Sequence, residues 1–150
     1  MTSYLLDTNV ILRASDPASE TFSLAAESVF LLLTENHECF LTAQVLIEFW
    51  VVATRPIEVN GLGWTAERTR QQIDLLTSEL SLLPEKPEIF TYWLELVTAH
   101  NIKGKRTHDL RLLAVMKAHQ ISNLLTFNPE DFIAIPGVNI IQPQEIIKHT

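Results

Sequence analysis

A chain of 150 residues with 47% hydrophobic and 19% charged residues has an ordinary globular composition and is long enough to bury its own core. A net charge of −7 argues against broad electrostatic adhesion to nucleic acid. No apolar run reaches membrane-spanning length, the N-terminus lacks a secretory signal pattern, and the lone Cys39 excludes an intrachain disulfide. The expectation is one domain over residues 1–150 in a reducing cytoplasm, with no membrane association.

In chain order, Tyr4 to Asp7 predicts a short buried strand that stops at a polar turn. Val10 to Ala14 predicts one helical turn, and Ser15 to Ser19 a loop. Thr21 to Thr34 carries Phe22, Ala25, Ala26, Val29, Phe30 and Leu33 at helical spacing. Glu38 to Leu41 is a strand candidate, followed by Thr42 as cap of a helix from Ala43 to about Thr54, which Arg55-Pro56 ends. Asn60-Gly61-Leu62-Gly63 is a connection. Thr65 to about Leu82 predicts a long helix with Ile73, Leu76 and Leu80 on one face. Pro87 suits the first turn of a helix reaching about His100. After the basic loop Asn101 to Arg106, Thr107 can cap a helix from His108 to about His119. Asn123 to Thr126 predicts a strand, Asn128 to Asp131 a turn, and Val138 to Ile141 a last strand.

Short apolar strands alternating with helices imply an α/β fold, a central parallel sheet flanked by helices on both faces. In such sheets ligands bind outside the carboxyl ends of the strands. Asp7 and the turn from Asn128 to Asp131 both follow strands and belong at that edge.

Three acids stand in apolar stretches: Asp7 after Tyr4-Leu5-Leu6, Glu48 within Val45 to Val52, and Asp109 before Leu110 to Met116. An ionised carboxylate beside buried apolar groups is costly unless a cation or hydrogen-bond donors compensate it. Each acid has a plainer reading alone. Asp7 can cap a helix, Glu48 can reach solvent, and Asp109 can complement a helix dipole. Together, on separate elements, they suggest one shared hard divalent cation and phosphate chemistry. Asn9 is placed to support Asp7, though a local turn role is the simpler reading. Gln44 lies one helical turn before Glu48. Lys103, Lys105, Arg106, Arg111 and Lys117 crowd around Asp109 as a basic rim or a solvated helix face. No zinc spacing, phosphate loop or nucleophile motif is present.

The segments Leu5 to Leu12, Gln44 to Phe49, Gly104 to Ala114 and Leu124 to Phe132 stand in the order found in the PIN-domain nucleases, and the chain resembles the VapC-type toxins of bacterial toxin–antitoxin pairs. The resemblance implies a parallel three-layer α/β sandwich and a metal-dependent endoribonuclease using Mg²⁺ or Mn²⁺. Asp7, Glu48 and Asp109 match the family's three acidic metal positions. The fourth falls in the turn after Thr126, where Asn128 stands at a position that is often Asp and Asp131 follows; either can complete the catalytic site. Thr126 matches a hydroxyl residue that holds a carboxylate or water. Lys103, Lys105, Arg106 and Arg111 become candidate RNA-backbone contacts. A cognate antitoxin seated between the helices at Thr21–Thr34 and Thr65–Leu82 is implied as a partner, and a homodimer as the assembly. A haloacid-dehalogenase-like phosphatase needs a second Asp two residues after the first, where this chain has Asn9. A non-catalytic binding or regulatory protein with the same fold is the alternative that Asn128 and the acidic net charge keep open.

Overall fold

The computed structural model describes residues 2–148. Its strands are β1 (Ser3–Leu6), β2 (Glu38–Leu41), β3 (Ser81–Leu82), β4 (Asn123–Leu125) and β5 (Asn139–Ile141). Its α-helices are α1 (Thr8–Ser15), α2 (Phe22–Thr34), α3 (Ala43–Thr54), α4 (Ala66–Glu79), α5 (Glu88–Ala99), α6 (Arg106–His119) and α7 (Pro143–Lys148). All strand pairs are parallel, in the order β3-β2-β1-β4-β5. Leu5 pairs with Phe40 on one side and Leu124 on the other, so β1 is central. Leu5, Leu6, Leu124 and Leu125 are fully buried. Such unbroken apolar runs belong to strands covered on both faces.

The chain moves outward from β1 through β2 to β3, then returns to place β4 on the other side of β1. Right-handed crossovers therefore put α1 to α4 on one face and α5 and α6 on the opposite one. The packing agrees. Helix α1 packs on α2 and α3, α2 on α7 and α3 on α4, whereas α5 lies along α6. Leu110 and every residue from Leu112 to Met116 are buried, so α6 is enclosed between the sheet and its cover helix. The direction of winding reverses between β1 and β4. That reversal opens a crevice at their carboxyl ends, with Asp7 and Thr126 on its two lips.

The α/β architecture and parallel sheet match expectation, while several boundaries differ. The predicted single turn at Val10 is a full helix, because Asp7 caps it by accepting from the Thr8 amide. Thr42 and Thr65 cap α3 and α4 as side-chain acceptors. Helix α4 stops at Glu79, not Leu82. Leu80 is extended there, and Ser81 and Leu82 join the sheet edge beside Phe40 and Leu41. The apolar spacing of Ile73, Leu76 and Leu80 continued formally into that strand and concealed it. Thr107 is not the cap of α6, which begins earlier, at Arg106. Its hydroxyl donates backwards to the Gly104 carbonyl at 2.7 Å, and Gly104 has a φ of +67°. Helix α7 was not anticipated; its six residues are too few to carry a periodic signal.

Among the described residues no helix is long and apolar enough to cross a membrane. Burial pushes the Cys39 thiol up to about 12, which makes it a packing residue rather than a nucleophile. Phe49 is fully buried and meets Trp64 edge to face at 6.1 Å between ring centroids. Truncation by Phe49→Ala is expected to cost about 3–5 kcal/mol in denaturant unfolding, against less than about 0.5 kcal/mol for Phe30→Ala on the surface.

Candidate active site

Four elements deliver carboxylates to the crevice. Asp7 directly follows β1, Glu48 lies in α3, Asp109 in the first turn of α6, and Asp131 in the 3-10 turn after β4. The Asp7 position is set by the sheet itself, since its amide donates to the Leu125 carbonyl at 2.9 Å.

Donors surround Asp7. Its Oδ1 accepts from the Thr8 amide at 2.8 Å, and its Oδ2 from the Thr126 hydroxyl at 2.8 Å and Asn9 Nδ2 at 3.4 Å. Thr126 is fully buried at the end of β4. Its Oγ1 also accepts from the Asn128 amide at 3.1 Å, which leaves its single proton for Asp7. Asn9 bridges the crevice. Its Nδ2 lies 3.3 Å from Thr126 Oγ1, and its Oδ1 accepts from the Phe127 amide at 3.1 Å.

Glu48 is held at both oxygens. The Thr8 hydroxyl donates to Oε2 at 2.6 Å, and Gln44 Nε2 donates to Oε1 at 3.2 Å. Among the described residues no donor reaches the carboxylates of Asp109 or Asp131.

Crowding and dehydration show in the protonation equilibria. Burial raises the Asp7 pKa most; the Thr126 hydroxyl and Thr8 amide pull it down, and Glu48 and Asp131 push it up. Burial also raises Asp109, to about 6, with further pushes from Asp131, Asp7 and Glu48 and a counteracting pull from Arg106. The four acids therefore act on one another electrostatically. In the last turn Asp131 acts electrostatically on Asp7 and Asp109, and the Asn128 backbone amide donates to Thr126.

The chemistry of the donor set fits a hard cation, because a divalent ion offsets the repulsion that raises Asp7 and Asp109. Among the described residues, however, no three His, Cys, Asp or Glu side chains are placed to hold an ion between them. The fit is to a hydrated ion bound through one or two carboxylates, the habit of magnesium, rather than to a protein cage.

Of the predicted basic rim, Lys103, Lys105 and Arg106 are exposed, and Arg106 is close enough to influence Asp109. Arg111 is engaged instead with Glu85 at 2.6 Å and reaches Gln44 Oε1 at 3.5 Å. Two residues escaped the sequence reading. The Thr8 hydroxyl joins α1 to α3 through Glu48. Arg13 stacks its guanidinium 4.3 Å above the Phe127 ring, bracing the segment after Thr126. Neither has a sequence signal, since both partners lie far along the chain.

Comparison with known proteins gives the fold a wider setting. The structure resembles VapBC2 from Rickettsia felis bound to a promoter DNA fragment, with a TM-score of 0.70, 21% identity, and coverage of 94% of this chain and 98% of that one. It resembles VapBC-1 from nontypeable Haemophilus influenzae at a TM-score of 0.68, 20% identity, and 95% and 99% coverage. It also resembles VapC20 from Mycobacterium tuberculosis, described as a sarcin-ricin loop cleaving toxin, at a TM-score of 0.61, 14% identity, and 81% and 86% coverage. At these identities the similarity is one of fold. No curated protein sequence matches the chain. The family model described as PIN domain matches residues 4–138, and the chain accordingly belongs to the PIN domain family.

Proposed function

We propose that this chain is a single-domain, metal-dependent endoribonuclease and the toxin of a toxin–antitoxin pair. One observation carries the reading: carboxylates from four separate elements act on one another at the β1–β4 crevice. Membership of the PIN family and the fold shared with a VapC described as a sarcin-ricin loop cleaving toxin support it. Asp7, Glu48 and Asp109 would hold a hydrated Mg²⁺ or Mn²⁺, one or two of them directly and the rest through its waters, with Asp131 rather than Asn128 as the fourth acid. Such an ion supplies an activated water and neutralises charge on a phosphodiester.

The chain's own residues prepare that chemistry. Thr8, Asn9 and Thr126 fix both oxygens of Asp7, and the Thr126 hydroxyl and Thr8 amide oppose the rise in its pKa that burial causes. Among the described residues no donor occupies the Asp109 and Asp131 carboxylates, which would leave their oxygens for a cation or its waters. Lys103, Lys105 and Arg106 would contact the RNA backbone, positioning it without reading its sequence. Arg111, tied to Glu85, is less free to do so.

Partners follow the same reading. A groove of about 360 Å³ between α1, α2 and α4 is lined by Val29, Phe30, Leu33, Leu75 and Leu76. It suits an apolar antitoxin segment. Exposed Ile47, Trp50 and Val51 on α3 and Phe90 and Leu94 on α5 offer apolar surface for a homodimer.

Three outcomes are expected. Purified protein should cleave a mixed RNA substrate with Mg²⁺ or Mn²⁺ and not in EDTA, and Asp7→Asn or Asp109→Asn should lower the rate at least about 100-fold while near-native circular dichroism is retained. Metal-independent cleavage, or full activity in both variants, defeats the assignment; folded protein inactive with every metal supports the non-catalytic alternative. Stability should follow the raised Asp109 pKa. In EDTA the protonated group is tolerated below about pH 4 and its ionisation penalises the fold as pH rises through about 6. Asp109→Asn should therefore melt higher than the unchanged protein at pH 7.5, with the gap closing towards pH 4. Leu75→Glu in the α2–α4 groove should abolish co-purification with the product of a neighbouring reading frame while leaving RNA cleavage intact.

A further inference from the structure

Resting on that reading, we propose that Gln44 is a positioning residue: it sets the Glu48 carboxylate relative to the Asp109 helix, and Arg111 and Glu85 fix the direction in which it acts. Gln44 Nε2 donates to Glu48 Oε1 at 3.2 Å and to the His108 carbonyl at 2.9 Å. Its Oε1 faces Arg111 Nη1 at 3.5 Å. The reversed amide would turn its oxygen on a carboxylate and a carbonyl, and its two N–H donors on a guanidinium that has no acceptor. Three neighbours on two helices thus admit one orientation of the side chain.

The orientation has its own support. Arg111 is held by Glu85 at 2.6 Å, and Glu85 lies in the loop that follows β3. The Arg111 and Glu85 side chains are 34% and 51% exposed, so the pair contributes little to stability. Its effect is directional: it keeps a cation in front of the Gln44 oxygen. All four residues, with Ala43, Ile47 and His108, line a cavity of about 380 Å³ that opens beside Glu48.

The consequence falls on the acids. Glu48 is clamped by Thr8 from the α1 side and by Gln44 from the α6 side. The same amide grips the carbonyl of the residue preceding Asp109. Glu48 and Asp109 are therefore registered to each other through one side chain that is neither acid nor base. Groups that orient metal-binding carboxylates typically change metal affinity by about 10–100-fold when lost.

The test uses the full chain and Mn²⁺ alone as probe, with the melting temperature followed against Mn²⁺ concentration at fixed pH. Gln44→Leu should melt within a few degrees of the unchanged protein in EDTA, yet need about tenfold or more Mn²⁺ for half of the stabilisation. Glu85→Gln, which touches none of the four acids, should move the midpoint the same way by less. In RNA cleavage Gln44→Leu should lower kcat with KM for RNA unchanged. An unaltered Mn²⁺ midpoint in Gln44→Leu overturns the proposal even where metal-dependent cleavage by the unchanged protein stands. If Gln44→Leu does not fold, Glu85→Gln decides, a midpoint equal to that of the unchanged protein overturning the relay. No Mn²⁺ response in the unchanged protein defeats the metal reading, and this inference with it.

Discussion

Bringing four carboxylates to one crevice is the constraint on which the rest of the structure depends. Ionised acids at the edge of an apolar core lose hydration and repel one another, and the fold must meet both costs. It meets them unevenly. Asp7, the most deeply set, has three donors from Thr8, Asn9 and Thr126. Glu48 has two, one on each oxygen. Asp109 and Asp131 have none among the described residues. One side of the crevice is thus fixed by hydrogen bonds before any ligand arrives, and the other retains its electrostatic debt. A site divided in this way has a rigid reference point and an unsatisfied half with which to attract a cation.

The topology makes the division possible. Asp7 and Thr126 end adjacent parallel strands, and the Asp7 amide is bonded to the carbonyl of Leu125. Their meeting is a matter of sheet register, not of side-chain choice. Glu48 and Asp109 come instead from helices whose placement depends on packing. Their alignment needs additional ties: the Thr8 hydroxyl from α1 and the Gln44 amide between α3 and α6.

This difference also explains what the sequence could reveal. Strand β2 and helix α3 were legible to the residue, because Thr42 is a strong cap and Arg55-Pro56 a strong stop. The edge strand β3 was not. Its two residues follow a helical apolar repeat, and only pairing with Phe40 and Leu41 makes them a strand. At the site, Asp7, Glu48 and Asp109 stood out because each stands within or directly against an apolar stretch. The choice between Asn128 and Asp131 was open, since both occupy one turn and sequence does not say which acts on the other acids; the Asn128 backbone amide donates to Thr126, and Asp131 raises the pKa of Asp7 and Asp109. Long-range partners such as Thr8 with Glu48, or Arg13 with Phe127, have no local signature at all.

The net charge of −7 and the proposed polyanionic substrate are compatible for a related reason. A screened field beyond about 8 Å counts for little at physiological salt, so the charges that matter are those beside the crevice. There the cations are unequally available. Lys103, Lys105 and Arg106 are exposed ahead of and at the start of α6, whereas Arg111 is held by Glu85 and directed at Gln44. Arg106 already lowers the Asp109 pKa against the push of three acids. A phosphate approaching that end of α6 would meet exposed cations next to carboxylates still in need of positive charge. The same unsatisfied acids that favour a metal ion would, without one, repel the phosphate, and this makes cation binding and substrate approach parts of a single electrostatic requirement.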